Sequence, residues 1–144
     1  MPFAETFRIP KHRRHVPAAR QNVRKTLADW GLTGELADDV VVSANELVTN
    51  AVRHCRVTLA QVEVRLSVQG TVLVLEVSDP DRDATPRLDA PGLDEEGGRG
   101  LALLVQLADA WGYTKQPYSK RVWARFALTQ GSRAPTCAEA HGHA

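Results

Sequence analysis

The chain has 144 residues, 43% of them hydrophobic, which is the usual size of one domain and enough apolar material for a sizeable core. Its 18 basic and 17 acidic side chains leave a net charge of +1, so no strong overall field draws it onto nucleic acid or an acidic membrane. No run has the length and apolarity of a transmembrane helix or a signal peptide, and Cys55 and Cys137 stand far apart, outside any metal-ligand or CxxC spacing. The expectation is a cytoplasmic protein with a compact local site and no redox chemistry.

Phe3 to Ile9 alternates loosely and ends at Pro10, which predicts a short edge strand. Lys11-His12-Arg13-Arg14-His15 is a basic run that reads either as a solvated loop or as a contact for a phosphate backbone or acidic partner; no aromatic residues interleave it. Pro17 suits a first helical turn, and a helix starting there is expected to carry Ala18, Val23, Leu27 and Trp30 inward until Gly31 stops it. Glu35 to His54 contains no Gly or Pro, and Asp38 and Asp39 complement the positive end of a helix dipole, so this stretch reads as one helix. At 100° per residue, Val40, Val41, Ala44, Leu47, Val48, Ala51 and Val52 fall within an arc of about 140°, a normal buried stripe. Beside that stripe Glu46 and Asn50 lie one turn apart, with Ser43 and His54 close to them. A carboxylate and an amide therefore point the same way, as polar residues on a wetted face or as the wall of a pocket.

Val62, Val64, Leu66 and Val68 alternate with polar residues, the clearest strand signal in the chain. Gln69-Gly70 is expected as a two-residue hairpin turn, which would pair residue 66 with 73, 64 with 75 and 62 with 77. Leu73, Leu75 and Val77 then share the helix-covered face with the buried valines, and Asp79 is next in that alternation. A carboxylate at a strand end on the covered side is costly if unpaired, although Asp79 before Pro80 also suits a simple turn. Pro80 to Gly97 shows no periodicity and is long enough to be a functional lid or disordered. Gly97-Gly98-Arg99-Gly100 opens an apolar helix expected over Leu101 to Ala110, a geometry that can present backbone N–H groups to an anion. Trp111 to Lys115 and Arg121 to Thr129 read as a last hairpin with Val122, Ala124, Phe126 and Leu128 on one face. Residues 131–144 are small and polar and are expected to be a disordered tail after a single domain over 1–130; its His141 and His143 lack a third ligand for a metal.

Taken in order, Glu46 and Asn50 on a helix, Asp79 at a strand end and the Gly98-Arg99-Gly100 turn at a helix start resemble the GHKL, or Bergerat-fold, ATP-binding superfamily. That superfamily includes histidine kinases, the DNA gyrase ATPase domain and the anti-sigma-factor kinases. Glu46-Leu47-Val48-Thr49-Asn50-Ala51-Val52-Arg53-His54 looks like the N box of its small single-domain branch, Val77-Ser78-Asp79 like the first glycine-box strand and Gly98-Arg99-Gly100-Leu101 like the second glycine box. The resemblance spans roughly residues 5 to 129, and there is no Walker A sequence. It implies an α+β fold: a two-layer α/β sandwich whose mixed, mostly antiparallel sheet is covered by helices on one face.

The resemblance also implies roles. Asn50 would bind Mg²⁺ through its side-chain oxygen, a hard ligand suited to that ion, with ATP phosphates completing the shell. Glu46 would take the proton of an attacking hydroxyl or water. Asp79 would accept from the adenine amino group; Gly98, Arg99, Gly100 and Leu101 would hold the phosphates, and His54 would border the nucleotide. The sequence departs from the family where Asp-x-Gly-x-Gly is common: it has Asp79-Pro80-Asp81-Arg82-Asp83. Where relatives often carry a Thr that reaches the adenine site, it has Arg121 before Val122-Trp123. Both departures bear more on phosphotransfer than on nucleotide binding. The function implied is that of an anti-sigma-factor-type serine/threonine kinase, which binds a sigma factor and phosphorylates an anti-sigma antagonist, often as a homodimer. Its rivals are a non-catalytic ATP-dependent binding module, a slow ATP hydrolase and, most remotely, a nucleic-acid-binding protein resting on Lys11 to Arg14.

Overall fold

A computed structural model describes residues 3–54, 60–80, 104, 106–116 and 119–128. Strand β1 (Ala4–Pro10) leads through a 3-10 turn, Arg13–His15, into helices α1 (Val16–Asp29) and α2 (Gly34–His54). Strands β2 (Gln61–Gln69), β3 (Val72–Asp79), β4 (Ala110–Gln116) and β5 (Ser119–Ala127) follow. The sheet order is β1-β2-β3-β5-β4, and each of its pairings is antiparallel. β1 is therefore an edge strand, as its Pro-terminated sequence implies, and β3 lies at the centre with Asp79 at its end.

One face of the sheet is covered by both helices, and the core lies between the layers. From α2, Val40, Val41, Ala44, Leu47, Val48 and Ala51 are buried, and Val52 packs partly buried beside them, so the 140° stripe is the buried stripe. The sheet answers with Val62, Val64, Leu66, Leu73, Leu75, Val77, Val122, Ala124 and Phe126. From α1 the buried residues are Val16, Ala19, Val23 and Leu27, and Ala18, expected to face inward, is exposed. The reason is angular: at 100° per residue Ala19 lies about 40° from Val23 around the helix, whereas Ala18 lies about 140° away. Gly31 ends this helix at φ +80°, a left-handed conformation that suits glycine, and Trp30 is half-buried with its ring stacked on Phe3 at 5.2 Å between centroids.

The β2–β3 hairpin differs from the expected register. Gln69 pairs with Val72, Val68 with Leu73, Leu66 with Leu75 and Val64 with Val77, so the two-residue turn is Gly70-Thr71 instead of Gln69-Gly70. Gly70 at φ +67° takes the first central position, where hairpin turns need a positive φ and a bulkier residue is strained. The slip is two residues in the pairing sum, an even number, so every side chain stays on its expected face.

The end of the apolar stretch also departs from expectation. Leu104, Gln106 and Leu107 are helical, but Asp109 lies in a bend and Ala110 begins β4. Asp109 donates its N–H to the Arg125 carbonyl at 2.8 Å, and its Oδ2 accepts the Ala127 N–H at 2.6 Å, which anchors the entry to β4 against β5. Leu104 is wholly buried in the core.

No helix among the described residues is packed on the sheet's second face. There Arg8 faces Glu63 at 3.6 Å, Arg65 faces Glu76 at 3.7 Å and Arg121 faces Glu76 at 3.8 Å. Trp123 is on this face too, yet is only 6% exposed: it lies across Gly112, and the Arg125 guanidinium stands 4.7 Å from the ring centroid. The basic run 11–15 forms the 3-10 turn, where His12 Nδ1 accepts the Arg14 N–H at 3.1 Å.

Candidate functional site

α2 carries the first part of the site. Because Leu47 and Val48 are drawn into the core, Glu46 and Asn50, flanking that stripe, come to rest half-buried at its margin. A residue missed from the sequence adjoins them: Asn45 Nδ2 donates to Glu46 Oε2 at 3.4 Å, and Asn45 Oδ1 accepts from Arg20 Nη1 of α1 at 2.9 Å. Arg20 and Asn45 thus link the two helices to the Glu46 carboxylate. The signal was thin, since any Asn next to a candidate acid could do this, and only the packing of α1 on α2 brings Arg20 within reach. One turn earlier, Ser43 is wholly buried, and its hydroxyl oxygen meets no hydrogen-bond partner among the described residues. His54 ends α2, and its side chain lies outside the described part of the structure.

β3 and β5 supply the second part. Asp79 is 4% exposed, on the helix-covered face at the end of β3. Its partner across the β3–β5 ladder is Lys120, 2% exposed, with Nζ 3.8 Å from Asp79 Oδ2. Two opposite charges are thereby enclosed together, the arrangement that burial of either one demands. Arg121, at the position where relatives often carry a Thr that reaches the adenine site, lies on the other face of the sheet. Arg121 pairs with Ser78 on β3 and Thr114 on β4, and points to the uncovered face. Alternation decides it: Val122, Ala124 and Phe126 face the helices, so Lys120 does as well. Extending that pattern two residues back would have found Lys120 from the sequence.

Gly98, Arg99, Gly100 and Leu101 lie outside the described residues, as does the segment 81–97. A polar depression of about 200 Å³ beside Pro80 is lined by Arg8, Glu63 and Ser78 as well as Asp79. It is smaller than the usual range for a ligand of nucleotide size, and its lining residues belong mainly to the uncovered face. It meets the Asp79–Lys120 pair only through Asp79.

These residues fit a nucleotide in one specific respect. The helix-covered face is apolar along β2, β3 and β5 until it reaches the enclosed Asp79–Lys120 pair, which is where a purine could be held by few, directed polar groups. For a metal, the described residues contain no group of three or more His, Cys, Asp or Glu. A site built on Asn50 would therefore draw most of its oxygens from phosphates and water, which is how Mg²⁺ is usually held.

The crystal structure of the RsbU and RsbW domains of Rv1364c from Mycobacterium tuberculosis superposes with a TM-score of 0.63 at 20% sequence identity. The alignment covers 92% of this chain and 35% of that one, so this chain spans about a third of its length and shares its fold. No curated protein matches the sequence. The family model described as the histidine kinase-like ATPase domain matches residues 9–126, from the end of β1 to the end of β5. With the two-layer fold, the half-buried Glu46 and Asn50 on α2 and the enclosed Asp79 at the end of β3, that match across most of the chain shows that this protein belongs to the histidine kinase-like ATPase family.

Proposed function

We propose that this chain is a Mg-ATP-binding regulator of the anti-sigma-factor type, transferring the γ-phosphoryl group of ATP to a serine or threonine of an antagonist protein. The observation that carries this reading is the enclosed carboxylate of Asp79 in a histidine kinase-like ATPase domain whose α2 reads as the N box of the small anti-sigma kinase branch. Asp79 accepts a hydrogen bond from the adenine amino group. Asn50 offers its side-chain oxygen to Mg²⁺, which when bound neutralises charge on the phosphates. Glu46 takes the hydroxyl proton of the partner's serine as that oxygen bonds to the γ-phosphorus and ADP departs. Arg99, with the backbone N–H groups of Gly98, Gly100 and Leu101, stands beside the phosphates in this reading, and His54 borders the nucleotide. A cytoplasmic location, a sigma factor as second partner and a homodimer belong to the same proposal.

The absence of both glycines after Asp79 favours a second reading, a nucleotide-gated binding module without phosphotransfer. Two variants separate them. A group that acts only in the chemical step adds little to ground-state affinity, so Glu46→Gln should bind Mg-ATP within a few-fold of wild type. Its phosphotransfer should fall by about 10²–10⁴, the usual worth of a general base. Asn50→Ala should weaken Mg-dependent binding and transfer together. Calorimetric titration beside labelled-phosphate transfer to candidate antagonists reads both. Tight binding with no transfer by wild type, and no effect of Glu46→Gln, would leave the binding module as the function.

A further inference from the structure

We infer that Lys120 is a base-reading residue: with Asp79 it forms a donor–acceptor edge that recognises the adenine ring, Lys120 donating to ring nitrogen N1 while Asp79 accepts from the exocyclic amino group. This rests on the nucleotide reading above and adds the residue that completes its selectivity. Three observations carry it. Lys120 is the direct cross-strand partner of Asp79, so both side chains leave the sheet side by side on the helix-covered face. Both are almost wholly enclosed, at 2% and 4% exposure, at the end of an otherwise apolar face. And Nζ stands 3.8 Å from Oδ2, near enough for charge compensation, while an ammonium carries three N–H donors and can serve more than one acceptor.

Energetics argue that the pair is there for more than stability. A buried ion pair can generally be exchanged for packed apolar side chains at little or no cost, and the positions just along the same two strands, Val77 and Val122, are such a pair. The adenine edge displays a donor, the amino N–H, next to an acceptor, N1. A carboxylate beside an ammonium presents the complementary acceptor and donor, in a site where an unmatched group costs most. Arg121, on the opposite face, cannot take this part.

The test compares ATP with 1-deaza-ATP, which replaces N1 by C–H and keeps the amino group and phosphates. Isothermal titration of the wild-type chain with each, in Mg²⁺, should show 1-deaza-ATP binding about tenfold or more weaker. In Lys120→Met, which keeps the stem and removes the donor, the ratio of the two affinities should fall towards one. Equal affinities on wild type, or an unchanged ratio in Lys120→Met, would overturn the role of Lys120 while leaving ATP binding intact. Since Lys120→Met strands a buried carboxylate and can unfold the chain, the wild-type comparison stands by itself. If wild type bound no ATP at all, the nucleotide reading would fall and this inference with it.

Discussion

Asp79 and Lys120 show how two residues can be worth different amounts together and apart. Removing one member of a buried pair leaves the other charge in a site that no longer compensates it, at a cost of about 3–5 kcal/mol, whereas removing both avoids that penalty. Asp79→Asn and Lys120→Met should each destabilise the chain in urea, and the double variant should lose less than the sum of the two, with a coupling of about 1–3 kcal/mol. Additive losses would mean that the 3.8 Å approach has no energetic consequence. The nucleotide side of the same residues is read by selectivity. ATP should outbind GTP by about tenfold or more on wild type, because guanine turns a carbonyl towards Asp79, and Asp79→Asn should lose most of the ATP affinity. Glu46 offers a finer test. Its contact with Asn45 at 3.4 Å, and the Arg20 contact behind it, orient the carboxylate without touching the nucleotide in this reading. Asn45→Ala should therefore lower phosphotransfer about threefold to tenfold with the Mg-ATP dissociation constant nearly unchanged.

Among the elements, β4 and β5 depend on a close fit across the uncovered face. A Cβ built on Gly112 would lie 2.5 Å from Cζ2 of Trp123, so a methyl group there must displace the indole from beneath Arg125. Gly112→Ala should cost about 1–3 kcal/mol in urea unfolding and change the near-ultraviolet circular dichroism of the tryptophans. Unchanged values in both would show that the ring moves aside freely. α2 is the counterpart on the covered face. Leu47 is 2% exposed in the core and adjoins the half-buried Glu46 in the chain, so Leu47→Ala should cost about 2–5 kcal/mol while also loosening the placement of Glu46. The elements were legible in the sequence because period and burial coincide: the valines of β2 alternate, and the stripe of α2 keeps to one arc. The β2–β3 register was less legible, since Gln69-Gly70 and Gly70-Thr71 both contain the glycine a tight turn needs. Asp79 survived that ambiguity, because a slip by an even number of residues leaves its face unchanged.

For the whole molecule, ligand binding and folding are one equilibrium. If Mg-ATP binds the folded chain and not the unfolded one, a hundredfold excess over its dissociation constant adds about 2.7 kcal/mol, and a domain of this size gains roughly 2–4 °C in Tm per kcal/mol. Differential scanning should show a rise of about 5–10 °C with Mg-ATP on wild type and little or none on Asp79→Asn; no rise on wild type would contradict the proposed nucleotide site. By itself, the sequence determined the buried stripe of α2, the alternation of β2 and the placing of Glu46 and Asn50 one turn apart, because these follow from local periods of 3.6 and 2 residues that each segment carries alone, whereas the two-layer arrangement was implied by the family resemblance. It also placed Asp79 on the covered face, through the alternation of Leu73, Leu75 and Val77. Only the tertiary structure decided what meets across elements. Lys120 reaches Asp79 through a β3–β5 ladder joining residues some forty positions apart, Arg20 reaches Asn45 by the packing of α1 on α2, and Trp123 lies across Gly112 through the β4–β5 register. Such contacts depend on strand order and register, which cooperative burial of the whole core selects and which no single segment encodes.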